Sequence, residues 1–157
     1  MSSVNWQKWG AISEVFGTIA VVVSLIFVGI SIRQNTAVVQ ANQQNLLYEL
    51  TDNWFSDRLA NPELYEIELR ASDPQALTDV ERLRYSEVIY RAVNIWENAY
   101  FKHENGFLSD GQYQAFHNAN VNWIGCCAPR WTWDEIKDDF RPDFVEMVDA
   151  IYKGQEK

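Results

Sequence analysis

The sequence predicts an all-α protein: one N-terminal transmembrane helix that continues into a small helical-bundle domain. Three observations predict it. Residues 15–32, VFGTIAVVVSLIFVGISI, run for eighteen residues without a charge. The 125 residues after them are polar on average and marked by helix starts and stops. No segment carries the period-two alternation of a half-buried strand.

The apolar run comes first. Eighteen residues of helix reach roughly 27 Å, close to the ~30 Å hydrocarbon core of a bilayer. Counted from Gly10 to Ile32, with Glu14 the single charge, the stretch is 23 residues, or roughly 34 Å of helix. Trp6, Lys8 and Trp9 flank one end and Arg33 the other, and tryptophans and snorkelling cations are the usual anchors at headgroup depth. A cleaved signal would have a shorter apolar region and a small-x-small site, and SIRQNTAVV offers none. A core helix apolar all round would need partners on every face, for which this chain has little material. The segment 1–33 is therefore read as a short tail and a span over about 10–32, and 34–157 as a soluble all-α domain.

Within the span, Ser13, Gly17, Ala20, Ser24 and Ser31 recur at spacings of four, three, four and seven, interrupted where Phe27 and Val28 sit. Small residues let helix backbones approach closely in lipid, where packing replaces the hydrophobic drive. The stripe is the expected helix-docking face, toward another copy of the chain or another membrane protein; chance is the alternative, since small residues are common in spans.

Beyond Arg33 no Gly or Pro interrupts the chain before Asn61, so the helix can continue to about residue 57. Leu46, Leu47, Leu50, Trp54 and Phe55 restore an apolar face at helical spacing. Asn61 and Pro62 read as the cap and first position of a second helix, and the sequence SDP at 72–74 ends it. Thr78 and Glu81 form a capping-box pattern. They open the predicted central helix, about 79–104, whose stripe is Leu83, Val88, Ile89, Ala92, Ile95, Trp96, Ala99 and Tyr100. Gly106 is its natural stop. Ser109 begins a helix to about Ile124, GCCAPR interrupts, Trp131 to Phe140 form a short helix, and Pro142 starts the last.

Composition limits function. The net charge is −9, and beyond Arg33 there are 21 acids and 11 bases. A domain so acidic, without a basic patch, argues against nucleic acid and against lying flat on anionic lipid. No phosphate loop, nucleophile elbow, zinc motif or C-x-x-C occurs, so no catalytic, cofactor-binding or metal residue is assigned and no cofactor is expected. His103 and His117 lack an acid three residues before them, unlike helical di-iron sites. The acids Asp134, Glu135, Asp138, Asp139 and Asp143 lack the pattern of a calcium loop and read as a solvated face. Glu97, among apolar neighbours, reads as a partly buried acid paired structurally, with an arginine from another helix as one candidate partner. Cys126 and Cys127 read as small buried thiols beside Trp123, Trp131 and Trp133, because adjacent cysteines rarely pair.

The runs EVFGTIAVVVSLIFVGISIRQNT, WENAYFKHENGFLSDGQYQAF and WTWDEIKDDFRPDFVEMVDAI, in this order, resemble an uncharacterised family of small bacterial single-pass membrane proteins. That family combines an N-terminal span with a helical domain, a Trp-Glu-Asn-x-Tyr segment and an aromatic-acidic helix ending Phe-x-Pro-x-Phe. The resemblance implies the bacterial inner membrane but no activity; together with the expected lack of cysteine pairing, it points to a short N-terminus outside and the domain in the cytoplasm. The family carries more arginine after the span than the lone Arg33, and Lys8 on the other side leaves the positive-inside rule tied. The function expected is that of a membrane-anchored interaction protein, self-associating or an accessory subunit of a membrane complex. The alternative is an enzyme or small-ligand-binding module using Glu97, His103 or the cysteine–tryptophan region.

Overall fold

The structure, a computed structural model, describes the backbone of residues 6–155 and the side chains of Glu14 and of residues 16–154. Six helices follow one another: α1 (Trp6–Ala60), α2 (Glu63–Arg70), α3 (Asp79–Glu104), α4 (Asp110–Cys127), α5 (Arg130–Ile136) and α6 (Pro142–Gln155). Short 3-10 turns at Pro74–Ala76 and Lys137–Asp139 join some of them, and the described residues contain no strand. The all-α class holds. The chain divides into two compact units, 1–41 and 42–157, so the boundary falls within the amide-rich stretch from Gln40 to Asn45 rather than at Arg33. Residues 34–41 are exposed throughout.

In the first unit, α1 is long and apolar enough to cross a membrane, and its apolar window is wholly unburied. From 16 to 32 every side chain is exposed except Ser31, which is half-buried. Three hydroxyls in and beside this stretch turn back on their own helix. Thr18 donates to the Glu14 carbonyl at 2.9 Å, Ser24 to Ala20 at 2.8 Å and Thr36 to Ile32 at 3.0 Å. Each such bond satisfies the hydroxyl within its own helix.

The second unit is built around α3, which packs against α2, α4 and α5. Its start is a complete capping box: Thr78 accepts from the Glu81 amide, and the Glu81 carboxylate accepts from the Thr78 amide. Gly106, at φ 73°, ends it in a conformation that other residues adopt reluctantly. One flank of the buried face of α3 packs Tyr85, Ile89, Val93 and Trp96 with Trp133, Phe144 and Val148; the adjoining flank packs Ala92, Ile95 and Ala99 with Leu47, Trp54 and Leu108. Trp96 meets Phe144 edge to face, 5.5 Å between centroids, a favoured aromatic geometry.

Several local expectations are corrected. Leu83 is 65% exposed; it lies off the buried line 85, 89, 92, 96, 99, whose steps of four and three trace one helical face. Asn61 does not cap α2: its amide donates to the Asp57 carbonyl at 2.7 Å, satisfying the open end of α1. Helix α4 runs through Gly125 to Cys127, because the stop comes from Pro129, which forces Ala128 to be extended (φ −123°, ψ 92°). Ser109 and Gln112 form a second capping box at its start.

Candidate functional site

Four helices of the second unit enclose a cleft of about 330 Å³. Each contributes residues at helical spacing, which is why they share a side. From α1 come Thr51, Trp54, Phe55 and Arg58; from α2, Tyr65 and Glu68; from α3, Ala92 and Ile95; from α4, Phe116, Ala119, Asn120 and Trp123. Trp54 is the pivot. It is buried, its indole N–H donates to the Val88 carbonyl at 3.2 Å, and it stands edge-on to Trp123 at 5.6 Å. With both α1 and α4 reaching it, the walls are mostly aromatic and aliphatic, as in most small-molecule sites.

The polar end of the cleft is Arg58. It is only 6% exposed, which an arginine tolerates only when paired. Its Nη2 donates to the Glu68 carboxylate. Its guanidinium lies 4.7 Å from the Trp54 ring and 5.1 Å from the Tyr65 ring, both attractive cation–π positions. Its Nη1 is buried and has no acceptor among the described residues. An unmatched buried donor costs about 1–3 kcal/mol, more on a charged group. Arg58 is thus held firmly, with the two N–H groups of its buried Nη1 unmatched.

The other candidate residues have separate partners. The Glu97 carboxylate accepts from the backbone N–H of Arg141 at 2.8 Å, capping the start of α6; the Arg141 guanidinium goes instead to Glu104 at 3.2 Å and Asp143 at 2.7 Å. His103 stacks on Tyr113 at 4.3 Å and meets Asp110 at 3.0 Å. His117, half-buried, is held below the usual histidine range by desolvation. Asp134 pairs with Arg130 and Lys137, and Glu135 with Arg82 and Ser86, at the surface. Among the described residues no group of three His, Cys, Asp or Glu is placed to hold a metal ion.

The cysteine reading is corrected. Cys126 and Cys127 are joined as a disulfide, and Cys126 is exposed while Cys127 is half-buried. They occupy the last turn of α4, where the chain is leaving the helix and the two sulfurs are free to meet. Of the neighbouring tryptophans, Trp133 is core and donates to Asp149 at 2.8 Å, Trp131 donates to the Ala71 carbonyl at 2.8 Å, and Trp123 lines the cleft.

On α1, Gly17, Ala20 and Ser24 are exposed and Ser31 half-buried. At 3.6 residues per turn their spacing keeps all four within one narrow sector of the helix, and a Cβ at Gly17 would meet nothing within 4 Å. Arg33 is exposed. The side chains of Ser13, Trp6, Lys8 and Trp9 lie outside the described residues. The sequence missed Arg58, Tyr65, Glu68 and Asn120. One signal was available: Arg58 follows Trp54 by one turn on an otherwise apolar face. Compared with known proteins, the chain matches no family model, no curated protein and no solved structure.

Proposed function

We propose that the protein is a single-pass, membrane-anchored interaction protein, docking through the face of Gly17, Ala20, Ser24 and Ser31 with another copy of itself or another membrane protein. One observation carries the reading. The apolar side chains from 16 to 32 are uncovered by the rest of the chain, and so large an apolar surface marks contact with lipid or with another protein. A bilayer covers all sides of such a helix; a small-residue face on it is where a second helix can approach closely. The resemblance points to a bacterial inner membrane. The cytoplasmic side for the domain rested partly on unpaired cysteines; with Cys126 joined to Cys127, that argument falls away and the resemblance alone supports it.

The test is assembly size in native lipid. Gly17→Leu or Ala20→Leu keeps the span hydrophobic but pushes a docked helix away, so the assembly shrinks; Val22→Leu, on the opposite face, leaves it unchanged. Equal responses on both faces, or a wild-type chain already alone, would contradict docking.

A second reading, a membrane-associated small-ligand-binding module, is favoured by the cleft around Arg58, whose buried Nη1 has no acceptor among the described residues.

A further inference from the structure

We propose that Cys126 and Cys127 form a reversible thiol–disulfide exchange site, opened by a dithiol and closed again by a disulfide. The proposal is independent of the docking face on the span and of the cleft. The bond joins adjacent residues, so it encloses no intervening chain and removes little freedom from the unfolded state. A disulfide stabilises mainly by closing a long loop, and this one therefore adds little to the fold. Cys126 is exposed and Cys127 half-buried, and accessible disulfides are the ones that exchange. The backbone at the bond is held by other means. The hydroxyl of Tyr85, on α3, donates to the Cys127 carbonyl, and that of Tyr152, on α6, donates to the Ala128 carbonyl at 2.9 Å. Both tyrosines are buried. Neither bond involves a sulfur, so opening the disulfide leaves both available and keeps the two cysteines in place to close again. A reduced Cys126 also has an acceptor at hand, the Trp123 carbonyl 3.3 Å from its sulfur.

In the opening step a thiolate of the dithiol attacks the sulfur of Cys126, the more exposed of the pair. A new S–S bond forms to the reductant, the Cys126–Cys127 bond breaks, and Cys127 leaves as a thiolate that takes a proton from water. The second thiolate of the dithiol then attacks its own sulfur in this mixed disulfide. Cys126 is released as a thiol and the reductant departs as a disulfide. The protein gains two electrons and two protons, and the dithiol loses them. Closure by a disulfide makes and breaks the same bonds in reverse. The chemistry favours a dithiol over a monothiol. Once Cys127 is free it stands one residue from the mixed disulfide and expels a monothiol again. Only a second thiol tethered to the first competes at a similar effective concentration.

The experiment equilibrates the full chain in nanodiscs, without air, in buffers of reduced and oxidised glutathione, and traps free thiols with N-ethylmaleimide for intact mass. The share carrying two maleimides should rise from none to nearly all as the buffer becomes more reducing, whereas a structural disulfide resists glutathione. The indole N–H signals of the buried Trp96 and Trp133 should stay in place throughout. The variant Cys126→Ser with Cys127→Ser should keep the same dispersed signals. Dithiothreitol should open the pair at least about tenfold faster than glutathione at equal thiol concentration; equal rates would overturn the dithiol assignment. Given oxidised glutathione, Cys127→Ser should form its mixed disulfide faster than Cys126→Ser; the reverse order would overturn attack at Cys126. The exchange site itself is overturned by a bond that opens only as the indole signals collapse, or by a double serine variant that does not fold. Thiols that stay free in oxidised glutathione would also overturn it.

Discussion

Thr78 has extended backbone angles (φ −69°, ψ 161°), and its hydroxyl accepts from the Glu81 amide in the first turn of α3. Removing that hydroxyl in Thr78→Ala should cost about 1 kcal/mol, read as a lower urea midpoint. Its partner Glu81 is held down to about 2 by the Arg70 guanidinium first, then by the Thr78 amide and hydroxyl. A carboxyl lower in the folded than in the unfolded chain stabilises above its unfolded value and loses that contribution as pH falls toward the folded one. The difference between wild type and Glu81→Gln should therefore be flat above pH 4.5 and shrink between 4.5 and about 2. A difference that grew on acidification would contradict the pairing. At Arg58 the asymmetry of buried pairs applies. Glu68→Gln strands a buried cation and should cost about 3 kcal/mol, whereas Arg58→Met with Glu68→Leu should stay near neutral. Equal losses would mean that the pair is not buried.

At the scale of elements, α6 depends on two contacts from α3. Its first turn is capped by Glu97, and Phe144, fully buried, packs on Trp96. Phe144→Ala should cost about 3–5 kcal/mol, while Glu97→Ala should lower hydrogen-exchange protection in α6 more than in α4. Uniform loss across the domain in the Glu97 variant would mean that the cap is not specific to α6. Helix starts were legible in the sequence wherever a side chain binds the backbone locally, as at Thr78, because such signals are contained within four residues. The fate of Asn61 was not: capping forward onto α2 or back onto α1 uses the same amide, and only the packed turn decides. Leu83 was misread because it was taken into the stripe for its apolar character; at 3.6 residues per turn it stands nearly opposite the line 85, 89, 92, 96, 99, so spacing already set it apart.

For the whole molecule, the apolar run was legible from its length, since hydropathy needs no tertiary knowledge. The cleft was not, because four helices must assemble before Trp54, Arg58, Glu68 and Trp123 become neighbours. A cation one turn beyond a tryptophan is a common pattern until a burial of 6% exposed and unmatched donors set it apart. The disulfide between Cys126 and Cys127 was missed because adjacent cysteines seldom pair. Both proposals concern a protein held at a membrane, and retention there is the central claim. It is tested most directly by washing membranes that contain the full chain with alkaline carbonate, which strips peripheral contacts and leaves spans in place. The account predicts that the protein stays with the sedimented membrane; its release into the supernatant would contradict the account.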